Sequence, residues 1–154
     1  MERNKKQERY QRLYDQVEGL MAKSKNELSR MATVNALLHH KMKDFFWTGF
    51  YLLQKDGRLC VGPYQGPVAC QELAKNTGVC WAAINDQRPV IVGDVNQFPG
   101  HITCDSRSKS EIALPVRDRS GNIFGVLDID SNVYANFDDT DASELTKLLT
   151  LITV

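Results

Sequence analysis

Two apolar runs, residues 110–116 and 122–129, flank Asp118-Arg119-Ser120-Gly121, and no other feature limits the possible folds of this chain as strongly. β-branched and aliphatic runs on either side of an Asp/Gly turn predict an antiparallel hairpin. A second hairpin is predicted upstream. Residues 45–53 are dense in aromatics, Lys55-Asp56-Gly57-Arg58 supplies the turn, and residues 59–64 return. Gln65-Gly66-Pro67 ends that strand, with a short extended piece expected over 68–73 and a further strand over 88–92.

Helical periodicity brackets these strands. Tyr10, Leu13, Tyr14, Val17, Leu20 and Met21 recur at helical spacing from about residue 2 to 21. Leu28, Met31, Ala32, Asn35, Leu38 and Met42 repeat the pattern after Ser24-Lys25-Asn26. His39 and His40 are adjacent, point in different directions on a helix, and read as an exposed helix end. A short helix over 79–84 and a last one, started by Asp138-Asp139-Thr140-Asp141 with Ala142, Leu145, Leu148, Leu149 and Ile152 on its buried face, complete the pattern. The expected class is α+β: a central antiparallel sheet with N- and C-terminal helices packed on one face. With 154 residues there is room for one core, so a single domain over 1–154 is expected, with helices over about 2–43, sheet and loops over 45–130 and the last helix over 138–152.

Lys plus Arg and Asp plus Glu both number 19, so no global field would draw the chain to nucleic acid or an anionic membrane. No apolar run is long enough to cross a bilayer and the first residues resemble no signal peptide, so a cytoplasmic location is expected. In that compartment Cys60, Cys70, Cys80 and Cys104 are expected as free, catalytic or metal-binding thiols; the absence of any C-x-x-C pair removes the zinc-ribbon and thioredoxin-type readings.

Residues 93–108 lack periodicity and are rich in Asp, Asn, Gly, Pro and Ser, the composition of a long binding or lid loop. Within it, Cys104 lies in a polar context beside His101 and Asp105, where packing gives a thiol little reason to be. Glu111 follows on the first strand of the hairpin, and Asp128 and Asp130 alternate with Leu127 and Ile129 on the second. The two aspartates therefore share one face of their strand. If that face met water they would be ordinary surface charges; their position at the end of an apolar run suggests a shared pocket with Glu111. Trp47 and Tyr51, four apart on a strand, also share a face, as core or as a pocket wall. His101 with Cys104 makes H-x-x-C, half a metal site without a second half, so no metal is expected.

The order of elements, with the long loop between Val92 and Ser110, resembles a GAF domain, and several segments narrow the resemblance to the free methionine-(R)-sulfoxide reductases. These are W-T-G-F-Y-L-L (47–53), G-P-Y-Q-G (62–66), Ala69-Cys70, G-V-C (78–80), G-H-I-T-C-D (100–105), S-E-I (110–112) and G-V-L-D-I-D-S (125–131). The departures are Trp81 where the family commonly has Gly, and Thr103 where Ala is common; Cys60 matches no motif and reads as a buried strand cysteine.

The resemblance implies thiol-dependent reduction of free L-methionine (R)-sulfoxide, with Cys104 attacking, Cys70 resolving, and Cys80 an alternative or relay. It implies that Trp47 and Tyr51 surround the substrate methyl group. Glu111, Asp128 and Asp130 would hold its ammonium group, one of them staying protonated as the acid for the sulfoxide oxygen. The same carboxylates would oppose thiolate formation at Cys104 until substrate binds. Thioredoxin is the implied reductant, and no metal or organic cofactor is expected; the amphipathic N-terminal helix itself could serve a homodimer or pack against the domain's own sheet. The alternatives are a non-catalytic small-molecule sensor module and a cysteine redox sensor; the three cysteines at 70, 80 and 104 favour the enzyme.

Overall fold

In the computed structural model, residues 3–101 and 104–153 are described; the expected helix start at residue 2 and Thr103 lie outside them. The elements run α1 (Arg3–Met21), α2 (Glu27–Lys41), β1 (Phe45–Leu53), β2 (Leu59–Gln65), β3 (Glu72–Leu73), α3 (Gly78–Asp86), β4 (Val90–Val92), β5 (Ser110–Arg117), β6 (Ile123–Ser131) and α4 (Asp139–Leu149). The strands form one six-stranded antiparallel sheet in the order β3-β2-β1-β6-β5-β4, so the two hairpins meet at β1 and β6 in its middle.

Strand alternation assigns the two faces of this sheet. Phe50, Ile112, Leu114, Leu127 and Ile129 project to one side and bury there against Leu13, Val17, Val34, Leu38, Leu145 and Leu148 of α1, α2 and α4. Trp47, Tyr51, Ala113 and Val126 project to the other and pack with Val79, Cys80, Trp81 and Ala83 of α3. The terminal helices share one face as expected, and α3 covers the opposite face. Its apolar residues need a second sheet surface because α1, α2 and α4 already occupy the first.

A register shift in β1 between Phe45 and Trp47 explains why Phe45 and Phe50, an odd number apart, both enter the helix-side core while Trp47 and Tyr51 face α3. Two polar devices tie the helices down. The Asp141 carboxylate, 1% exposed, accepts from Lys6 Nζ at 2.7 Å and Tyr10 Oη at 2.6 Å, joining α1 to α4. Arg30 of α2 donates to the carbonyls of Met21, Ser24, Leu151 and Thr153, closing the α1–α2 turn onto the chain end.

Several local expectations change. Leu20 and Leu28, assigned to buried helix faces, are exposed. His39 is half-buried, its Nδ1 3.3 Å from Thr48 Oγ1, and only His40 is exposed. Cys60 is half-buried on β2, between Leu52 of β1 and Glu72 of β3, not buried. The extended piece expected over 68–73 pairs only at Glu72–Leu73.

Candidate active site

The α3 side of the sheet holds a cavity whose floor is laid out by cross-strand register. One row across the sheet reads Trp47, Asp130, Glu111; the next reads Gly49, Asp128, Ala113. Asp128 thus stands between the two smallest residues of the floor, which leaves depth above it. Gly49 is required there: a Cβ would lie 2.4 Å from Tyr64 Cβ and 2.5 Å from the Trp47 ring, which folds across the glycine. Trp47 stacks on Tyr51 (5.8 Å between centroids) and on Tyr64 (5.3 Å), forming an aromatic wall.

That wall also positions a cysteine. Trp47 Nε1 donates to Pro67 O at 3.0 Å and Tyr51 Oη donates to Cys70 O at 3.1 Å, so both aromatics grip the irregular segment that leads from Gly66 to Cys70. Gly66, at φ +117°, makes the turn into this segment; a Cβ there would meet Phe46 O at 2.8 Å. Cys70 is joined to Cys104 by a disulfide, with Cα atoms 5.7 Å apart. Cys104 itself is exposed at the cavity mouth. Its neighbour Asp105 accepts from Arg107 Nε, Nη2 and backbone N–H, which hold its carboxyl down at about 2. The Arg107 guanidinium lies 4.8 Å over the Phe46 ring, clasping the loop to the rim of β1.

Cys104, Cys80, Glu111, Asp128, Asp130, Trp47, Tyr51 and His101 all line this one cavity, and Cys70 reaches it through its bond to Cys104. The carboxyls also act on the free thiol of the site. The acids press on Cys80 in the floor: burial, then Asp128, Glu111 and Asp130, push its thiol well above the ordinary range. Burial, with Asp128 and Asp130 nearby, likewise raises Glu111 well above a normal carboxyl, and burial with Asp128 raises Asp130. Asp128 is raised by burial too, but contact with the Glu111 carboxyl and the Cys80 thiol pulls it back. Burial therefore disfavours the ionised form of all three carboxyls, and of the three only Asp128 has contacts that oppose the rise. His101 is half-buried, and desolvation lowers its pKa, favouring the neutral ring.

Trp81 does not narrow the cavity. It is buried in the core behind α3, its Nε1 3.4 Å from Leu73 O. What sequence reasoning missed was the start of α3: Thr77, Gly78 and Val79 line the cavity, and the Thr77 side chain makes no cap bond among the described residues. The helix's first N–H groups are thereby left for an anionic group. The G-V-C motif marks this place, but only the turn of the chain aims it. Cys80, Glu111 and Asp128 also bring one potential ligand atom each to within 4.8 Å of one another.

A two-layered helix covering around a six-stranded antiparallel sheet, with a ligand-sized cavity on one face under a long loop, defines the class. The chain matches the GAF domain family over residues 32–154 and belongs to it. Within that family the reductase resemblance holds. It is 41% identical over 144 residues to the free methionine-R-sulfoxide reductase of Escherichia coli, covering 94% of this chain and 86% of that protein. It is 45% identical over 147 residues to GAF domain-containing protein A of Dictyostelium discoideum, covering 96% and 92%. Among solved structures, the free methionine-R-sulfoxide reductase from Neisseria meningitidis in complex with its substrate superposes with a TM-score of 0.88 at 38% identity, over 93% of this chain and 85% of that one. No helix among the described residues is long and apolar enough to cross a membrane.

Proposed function

We propose that this protein reduces free L-methionine (R)-sulfoxide to L-methionine, with Cys104 as nucleophile and Cys70 as resolving thiol. The observation that carries this reading is the Cys70–Cys104 bond at the mouth of a cavity whose floor holds Glu111, Asp128 and Asp130 together. The Cys104 thiolate attacks the sulfoxide sulfur as Glu111 protonates its oxygen; that oxygen then passes as hydroxyl to the Cys104 sulfur while the bond between the two sulfurs breaks, which releases methionine and leaves Cys104 as a sulfenic acid. The Cys70 thiol then attacks the Cys104 sulfur and expels water, forming the disulfide. Two electrons pass from the thiol pair to the sulfoxide, and an external dithiol of the thioredoxin class restores the pair.

Substrate recognition follows from the lining. The carboxyl groups take the ammonium group, and the N–H groups at the start of α3 take the carboxylate. Trp47 and Tyr51 wall in the S-methyl group and exclude water. Because both termini of the amino acid are held inside the cavity, a peptide-bound residue has no path in. A thioredoxin-coupled assay of NADPH oxidation with the free (R) and (S) isomers tests this. Turnover of the (R) isomer alone, abolished in Cys104→Ser, is expected; no turnover of either isomer would overturn the reading.

A further inference from the structure

We propose that Cys80, Glu111 and Asp128 also form a binding site for a soft or borderline divalent metal ion, zinc or cadmium, which competes for the pocket with an amino-acid ammonium group. The competition rests on the reductase reading; the metal site rests on geometry alone. Three elements bring the ligands together: α3 carries Cys80 down onto the sheet, β5 carries Glu111 and β6 carries Asp128. One sulfur and two carboxylate oxygens lie within 4.8 Å of one another, and all three side chains are buried. A separation of that order lets a single ion between them reach thiolate sulfur at about 2.3 Å and oxygen at about 2.0–2.2 Å after small side-chain adjustment.

A second observation points to the same ligand. Asp128 is 5% exposed, lines the cavity, and its Oδ1 has no hydrogen-bond partner among the described residues. A buried acceptor left unpaired is costly, and a cation between the carboxylates removes that cost. The donor set decides which cation. A thiolate with two carboxylates suits zinc or cadmium and is a poor match for magnesium or calcium, which take oxygen alone. Three protein ligands leave a fourth position for water, for which the cavity has room. Binding releases the Cys80 proton to solvent as the metal–sulfur bond forms, with no redox change.

Cys80 stays outside the Cys70–Cys104 disulfide, so the site exists in the oxidised protein, where Cys60 and Cys80 are the remaining thiols. That state gives the test. Cadmium is titrated into the oxidised full-length protein without added dithiol, and thiolate-to-metal charge-transfer absorption is followed. One equivalent with that band is expected, unchanged in Cys60→Ser and lost in Cys80→Ser. Asp128→Asn, which preserves volume, weakens binding roughly tenfold or more and serves as the check should the cysteine variant fold poorly. Absence of the band, or its loss in Cys60→Ser with retention in Cys80→Ser, would overturn the site. Free L-methionine should raise the apparent Kd for cadmium; if the band depends on Cys80 but methionine leaves it unmoved, the competition fails. Since binding is read without turnover, its failure is distinct from failure of the reductase assay.

Discussion

Glu111 is buried among other acids, and its proton bears on stability as well as on the proposed chemistry. Its pKa is raised by burial and by Asp128 and Asp130, so the folded state favours the protonated form more than the unfolded chain does. The sign follows: Glu111 contributes most to stability below its ordinary carboxyl range, and that contribution is lost as pH rises through the raised folded value. Glu111→Gln keeps the shape without the charge. It should flatten the fall in urea-unfolding stability between pH 5 and pH 8, and lower kcat by about 10²–10⁴-fold if Glu111 is the acid. A variant with unchanged kcat would remove it from that role. In the wild type, kcat should fall as pH rises through the same titration. Gly49 is a second single-residue test. Gly49→Ala places a methyl group against Tyr64 and Trp47 and should cost about 1–3 kcal/mol by denaturant titration, with a shift in tryptophan fluorescence as the Trp47 ring is displaced.

Helix α4 owes its placement to one buried carboxylate. Asp138 caps its start, accepting from the Thr140 and Asp141 N–H groups, while Asp141 accepts from the Asp138 N–H and from Lys6 and Tyr10 of α1. Removing a buried charge that satisfies a buried cation strands the partner. Asp141→Ala should therefore cost about 3–5 kcal/mol in denaturant unfolding, since Lys6 is left 8% exposed without its closest anion. The reductase activity that remains in the folded fraction should be unchanged, because this network lies on the sheet face opposite the cavity. Loss of activity per folded molecule would show that the two faces are coupled.

At the scale of the molecule, the Cys70–Cys104 bond closes a loop of 34 residues that spans β3, α3, β4 and the active-site loop. By loop entropy such a link is worth up to ~4 kcal/mol, so reduction should lower the urea midpoint, and Cys104→Ser should match the reduced wild type. Equal stability in both redox states would mean that the aromatic grip on residues 67–70 holds the segment by itself. Much of this arrangement was legible beforehand. Period-two alternation puts Asp128 and Asp130 on one face and Leu127 and Ile129 on the other, and that parity holds wherever a strand is regular, because it is a local property of the backbone. The hairpin turns and the Asp138 cap are local in the same sense. The strand bulge beside Phe46, the side of the sheet taken by α3, and the approach of Cys80 rather than Cys104 to the acids were not legible. Each depends on which surface was still unfilled once the other elements had packed, and that competition among distant segments is settled only in three dimensions.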